Sequence, residues 1–243
     1  MSDPKSPLKY KRILLKLSGE TLQDRESGLA IDHAATLRVA ERIKTLVDFG
    51  AEVAIVVGGG NLFRGLSGAE RGIDQSCGDH MGMLATIMNA LALQNAMEQI
   101  GLETRVQTSI SMARVAEPFI LRKALRHLQK GRVVIFGGGT GNPFFSTDTA
   151  AALRASEIGA NALLKATKVD GVYSADPEKD PNAERYATLT YRDALSRSLK
   201  VMDAAAFSLC MENHIPIVVF DFFESGTIEG VVQGQTIGTL VTE

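Results

Sequence analysis

The sequence predicts an α/β protein, with a largely parallel central sheet sandwiched between helical layers. Three observations predict it. Short β-branched apolar runs alternate with segments of helical periodicity, as expected for strands covered on both faces. Two of those runs, EVAIVV and RVVIF, end in triple glycines: Gly58, Gly59, Gly60 and Gly137, Gly138, Gly139. The chain has 243 residues, 45% hydrophobic and 22% charged, enough for one large α/β domain or two small ones.

Residues 12–18 (RILLKLS) form the first predicted strand, with Ile13, Leu15 and Leu17 on one face and Leu14, Lys16 and Ser18 on the other. Asp32 suits the N-cap of a helix to about Asp48, where Leu37, Ala40, Ile43 and Val47 recur at helical spacing and Gly50 stops it. Residues 52–57 are the second strand. A Met- and Ala-rich helix is expected over 82–100, and another from Pro118, a good first-turn residue, to Gly131. Residues 132–136 are a strand. Asp148 is expected to cap a helix ending near Gly159, and 162–165 (ALLK) to be a short strand. Residues 170–186 are polar and turn-rich and mark a boundary between two halves. A helix over 203–212, a strand over 215–220, a helix over 225–232 and a strand over 236–241 complete the pattern.

Composition excludes several function classes. A net charge of −2 gives no electrostatic case for DNA, RNA or an anionic membrane as main partner. An anion site must therefore come from a few placed cations and backbone amides. Cys77 and Cys210 form no CxxC, and four scattered histidines offer no zinc spacing, so free thiols in a reducing compartment are expected and no metal ligands are assigned. The stretch MSDPKSPLKYKR lacks the apolar core of a signal peptide. Residues 81–93, the longest apolar stretch, are too short to span a bilayer and contain Thr86 and Asn89. A cytoplasmic protein is the expectation.

In open α/β sheets, ligands bind beyond the carboxyl ends of the strands, and glycine there lets backbone N–H groups approach an anion. One glycine loop reads equally well as a tight turn; two, each directly after a strand, favour a phosphate-rich ligand. The second loop, GGGTGNPFFSTD, lacks the lysine of a P-loop, GxxxxGK[ST]. Lys16 and Lys165 lie at the ends of strand-like runs and are candidates to supply that charge; the alternative for Lys16 is a solvated edge-strand lysine. Arg64 follows the first loop and reads either as a phosphate ligand or as a surface arginine. Thr140, Asn142, Ser146 and Thr147 suit both N-capping and anion binding, which use the same helix end. Such a set fits phosphoryl transfer, where cations and amides stabilise charge on the moving group. Met81, Met83, Met88 and Met97 read as a core or subunit-interface helix.

The segments KRILLKLSGE (11–20), VVGGGNLFRG (56–65), GDHMGMLAT (78–86), GTGNPFFSTD (139–148), LKATKVDGVYSADP (164–177) and KVMDAAAF (200–207) closely resemble the bacterial uridylate kinases, which belong to the amino-acid-kinase superfamily. The resemblance runs from about Tyr10 to the C-terminus. It implies a single amino-acid-kinase-like domain over 1–243 that transfers the γ-phosphoryl group of ATP to UMP, with Mg²⁺, in pyrimidine nucleotide biosynthesis. About 10–160 would hold UMP and about 161–243 ATP. Lys16, Leu17, Ser18, Gly19, Gly60 and Arg64 would meet the phosphates of ATP. Thr167, Tyr173 and Asp176 would bind its nucleoside. Gly59 and Asp79 would contact UMP, and Thr140, Gly141, Asn142, Pro143, Phe144, Phe145, Ser146 and Thr147 would wrap it. Lys16, Arg64, Asp148, Lys165 and Asp203 are the implied catalytic set. Ser146 stands where the pattern has threonine. The family is typically a homohexamer activated by GTP and inhibited by UTP; here Gln94 and Glu98 occupy positions that are basic in many members, while Arg105 and Arg132 remain, so activation by GTP is expected to be weak or absent. The competing readings are a non-catalytic nucleotide-binding regulator and a sister kinase with a carboxylate or carbamate acceptor. A dinucleotide oxidoreductase fits less well, because GGGTGN lacks GxGxxG spacing.

Overall fold

The computed structural model describes residues 8–24, 26–63, 72–177, 179–180, 182–197, 199 and 201–243. The strands are β1 (Arg12–Leu17), β2 (Glu52–Val57), β3 (Thr104–Thr108), β4 (Glu117–Pro118), β5 (Val133–Gly137), β6 (Ala162–Thr167), β7 (Val172–Tyr173), β8 (Arg185–Tyr186), β9 (Thr188–Thr190), β10 (Ile217–Asp221) and β11 (Thr239–Thr242). The helices are α1 (His33–Asp48), α2 (Gln75–Gln99), α3 (Leu121–Gln129), α4 (Thr147–Ile158), α5 (Tyr191–Ser196), α6 (Ala204–Glu212) and α7 (Thr227–Gln233). No helix among the described residues is long and apolar enough to cross a membrane.

Nine strands form one sheet in the order β4-β3-β5-β2-β1-β6-β10-β11-β9. Within that sheet, among the described residues, only the β10/β11 pairing is antiparallel. β7 and β8 form a separate antiparallel ribbon inside the turn-rich stretch. Strands preceding residue 160 lie on one side of the sheet and those following it on the other, so the two sets meet where β1 pairs with β6. The crevice beyond such a switch point is where open α/β sheets bind ligands.

β1 is apolar on both faces because both faces are covered. Ile13, Leu15 and Leu17 pack with Val39 and Ile43 of α1, Leu93 of α2 and Val231 of α7. Leu14 packs with Ala151 and Ala155 of α4 and Phe207 of α6. All four β1 residues are fully buried. At roughly 2 kcal/mol for each such side chain, the strand that presents Lys16 is anchored along its whole length.

Several expectations need correction. α2 starts seven residues before 82, capped by the Asp74 side chain, which accepts from the Cys77 amide at 3.2 Å. The apolar stripe of α1 is Ala35, Val39, Ala40, Ile43 and Leu46; Leu37 and Val47 are only half-buried. Pro118 does not open a helix but pairs with Thr108 in β4, and α3 begins at Leu121. Asp148 is not a cap. Ser146 caps α4, its hydroxyl accepting from the amides of Asp148 and Thr149 at 3.0 and 3.1 Å. β3, β4, β7, β8, β9 and α5 have no counterpart in the sequence reading. β3 gives little strand signal because Thr104, Gln107 and Thr108 are polar, yet all three are buried.

Candidate active site

The site is assembled at the carboxyl ends of β1, β2, β5 and β6. Lys16 and Lys165 are register partners in β1 and β6. Both reach one carboxylate: Lys16 Nζ lies 2.8 Å from Asp148 Oδ1, and Lys165 Nζ 2.7 Å from Asp148 Oδ2. Lys165 also donates to the Val201 carbonyl. The three side chains are 13–15% exposed, and Asp148 Oδ1 is itself fully buried, with the Lys16 ammonium as its counter-charge. Asp148 stands in the first turn of α4, where the helix dipole favours an anion.

The electrostatics follow from two cations sharing one anion. Burial pushes the Asp148 carboxyl up, but Lys16 and Lys165 outweigh it and hold the group below the usual carboxylate range. Burial pushes the Lys165 ammonium down, attraction to Asp148 pulls it up, and repulsion from Lys16 pushes it down again; the net direction is downward. Both groups shift downward, which favours the charged form of Asp148, with two counter-charges, and disfavours that of Lys165, which shares Asp148 with Lys16. The trio retains one unit of positive charge, suited to an incoming anion.

Asp203 acts one step further out. Its carboxylate caps α6 by accepting from Ala206 N at 2.9 Å, and it also accepts from the hydroxyls of Thr149, at 2.9 Å, and Ser146. Ser146 thereby donates to Asp203 while capping the helix that carries Asp148.

Three loops converge near the lysines. Ser18 caps the 3-10 turn Gly19–Leu22. The Leu17 side chain is in the core, so only its backbone is available, and its carbonyl accepts from Gly58 N at 2.9 Å. Gly59 presses on α2, where an added Cβ would lie 2.8 Å from the Gly82 carbonyl. Gly138, at φ 81°, donates to Thr86 Oγ1 at 2.8 Å. Arg64 lies outside the described residues.

Two cavities flank the lysines. One, of about 130 Å³, is lined by Gly59, Gly60, Asp79, Thr140, Asn142, Phe145, Ser146 and Thr147. Gly141, Pro143 and Phe144 form its outer turn and do not line it. Phe144 has a left-handed backbone (φ 71°), held by donation from its amide to Asp79 Oδ2 at 2.7 Å. The other cavity, of about 590 Å³, contains Lys165, Thr167, Tyr173 and Asp176. Tyr173 donates to Asp170 at 2.6 Å, and Thr167 to the Phe220 carbonyl at 3.1 Å. Sequence reasoning missed Phe63, Met83 and Thr86 in the first cavity and Arg197, Leu199 and Val201 in the second. Thr86 alone carried a signal, as a hydroxyl inside an apolar run. A third hollow, of about 750 Å³, is walled by Asp170, Asp221, Glu224 and Glu229 together with Arg185; it is larger but carries more negative than positive side chains.

Glycine loops without a P-loop lysine, beside a lysine pair that shares one carboxylate at the strand ends, define the class: a phosphate-binding α/β protein outside the P-loop group. The amino acid kinase family model matches residues 11–221. The UMP kinase from Bacillus anthracis is 42% identical, covering 96% of each chain, with a TM-score of 0.93. The UMP kinase from Ureaplasma parvum is 37% identical, covering 97% of this chain and 100% of that one, with a TM-score of 0.90. The uridylate kinase from Archaeoglobus fulgidus is 29% identical, covering 95% and 99%, with a TM-score of 0.72. The chain belongs to the amino acid kinase family, within its UMP kinase branch.

Proposed function

We propose that this protein transfers the γ-phosphoryl group of ATP to UMP, giving ADP and UDP. The observation that carries this reading is the Lys16/Asp148/Lys165 trio between two cavities of unequal size. The smaller cavity, on the N-terminal half of the sheet, takes UMP. The larger one, beyond β6, takes the nucleoside of ATP, with Thr167, Tyr173 and Asp176 on its wall. The Gly59 amide and the two ammonium groups receive the phosphates, joined by Arg64 as the resemblance implies.

The chemistry asks little of proton transfer. The UMP phosphate is already ionised near neutral pH, so no general base is required. The residues must bring two anions into line and offset their repulsion. Lys16 and Lys165 supply the charge, and Asp148 holds both ammonium groups at one point rather than accepting a proton. Asp203 orients Ser146 and Thr149, and so the start of α4. Asp79 and the 140–147 turn orient the acceptor.

Magnesium fits as an ion carried on the nucleotide phosphates. Among the described residues no three His, Cys, Asp or Glu side chains converge on a common point. The Asp148 oxygens face the lysines, and Asp203 is occupied by hydroxyl and amide donors. A phosphate-borne ion needs few protein ligands and supplies further charge neutralisation when bound.

The place of the reaction is cytoplasmic pyrimidine nucleotide synthesis. Met81, Leu84 and Met88 form an exposed apolar stripe on α2, which supports a homo-oligomer, a hexamer by analogy with the family. At the positions associated with GTP, Gln94 donates to Glu98 and to the Thr104 carbonyl, both at 3.2 Å, and Arg132 is paired with Glu103 at 2.6 Å. Weak or absent activation by GTP follows, with UTP as an inhibitor competing for the acceptor cavity.

The test is ADP release from Mg-ATP with UMP, CMP, AMP, dUMP or carbamate, each with and without GTP. Turnover with UMP alone is expected. UMP binding without turnover would favour the regulator reading, and turnover with carbamate the sister-kinase reading.

A further inference from the structure

α2 carries two buried polar side chains that the chemistry above does not use. Thr86 is 3% exposed and Asn89 is 0% exposed. They are three residues apart and so share one helix face. Both are poor choices for a buried helix interior unless every polar group is satisfied, and here each is. Asn89 Nδ2 donates to the Gly58 carbonyl and to Asn61 Oδ1, both at 2.7 Å. Asn61 Nδ2 returns a bond to Asn89 Oδ1 at 3.0 Å and donates its other hydrogen to the Ala30 carbonyl at 2.7 Å. One turn away, Thr86 donates to Met83 O at 2.7 Å and accepts from Gly138 N at 2.8 Å.

The same helix face therefore grips both glycine loops, Asn89 the first and Thr86 the second. The Asn61/Asn89 pair also floors the loop after β1. A Cβ on Gly19 would fall 2.2 Å from Asn61 Oδ1, 2.6 Å from Gly58 O and 2.9 Å from Asn89 Nδ2. All three loops that surround the lysines are thus referenced to one rigid element.

We infer that Thr86 and Asn89 are positioning residues which set the spacing of the two glycine loops, and through it the alignment of donor and acceptor phosphates. Asn89 lines neither cavity, and the Thr86 hydroxyl, on the wall of the smaller one, is taken up by Met83 O and Gly138 N. An apolar pair of equal volume would fill the same space but leave Gly58 O and Gly138 N without partners, and a loop free to shift by a fraction of an ångström misaligns an in-line transfer. The inference rests on the phosphoryl-transfer reading for its kinetic consequence, but not for the loop ordering itself.

The experiment compares wild type, Thr86→Val, Thr86→Ser and Asn89→Leu. Peptide-resolved amide hydrogen exchange without nucleotide is read over 56–61 and 136–141, beside kcat, both KM values and thermal unfolding. Thr86→Val is nearly isosteric, so it keeps the test available if Asn89→Leu does not fold. Thr86→Val is expected to speed exchange at least ten-fold over 136–141 while leaving 56–61 within two-fold; Asn89→Leu is expected to do the reverse. In Thr86→Val, kcat should fall ten-fold or more with both KM values within about three-fold, and Thr86→Ser should restore it. Unchanged exchange at the loop each residue contacts would overturn the inference, as would a Thr86→Val enzyme with wild-type kcat. A wild type inactive with UMP whose loops still respond as described would instead remove the functional reading and leave the positioning role standing.

Discussion

Lys16 and Lys165 face each other across the β1/β6 pairing and divide the two oxygens of Asp148 between them, at 2.8 and 2.7 Å. Two lysines in adjacent parallel strands would repel. The carboxylate offsets that repulsion and leaves one positive charge directed at the crevice.

Lys16→Ala removes one of the two ammonium groups and leaves the acceptor cavity intact, since Lys16 does not line it. Turnover is expected to fall by about a hundred-fold or more, consistent with loss of one electrostatic donor. UMP affinity, read by calorimetry, is expected to stay within a few-fold. Unchanged turnover removes Lys16 from the mechanism.

Asp148→Asn leaves two partly buried ammonium groups without their counter-charge. A loss of roughly 3 kcal/mol is expected in denaturant unfolding at pH 7. In the wild type the Asp148 contribution is fully present above its ordinary value of 3.8 and disappears as pH falls through the lower folded value. At the alkaline end, Lys165 loses its proton in the folded state before the ordinary value of 10.5. In that window the unfolded chain binds more protons, so stability rises with pH while turnover falls. Paired unfolding and rate profiles from pH 7 to 10.5, set against Lys165→Met, check it: the variant should lack the rise in stability.

Ser146 is both the cap of α4 and a donor to Asp203. Ser146→Thr keeps the hydroxyl, and near wild-type turnover is expected. Ser146→Ala removes the cap, at about 1 kcal/mol, and frees Asp203 from one partner. Thermal unfolding of the two variants separates these outcomes; equal stability would show that the cap contributes nothing.

Asp79 accepts from the Phe144 amide and holds Phe144 in its left-handed conformation. Asp79→Asn weakens this charge-assisted bond. The KM for UMP is expected to rise about ten-fold or more, with the KM for ATP little changed. An equal effect on both substrates would mean that Asp79 serves the fold rather than the acceptor cavity.

Much of the frame was legible in the sequence. β1, β2 and β5 are short apolar runs that end in polar or glycine loops, and α1 announces its start with Asp32, which does accept from the Ala35 amide at 2.7 Å. The loss was greatest where tertiary burial overrides local chemistry. β3 looks polar, yet it occupies the sheet between β4 and β5. Ser146 rather than Asp148 caps α4, because Asp148 is drawn to two lysines that local reasoning at the helix start does not include.

The sequence by itself determined the alternation of strands and helices, the two glycine loops at strand ends and the residue types suited to phosphate. It did so because backbone conformation and amphipathic period are local properties. Only the tertiary structure decided that β1 pairs with β6, that Lys16 and Lys165 converge on Asp148, and that Thr86 and Asn89 tether both loops to one helix. Those relationships depend on strand order and side-chain direction, which emerge when the sheet and its two helical layers bury their apolar faces together.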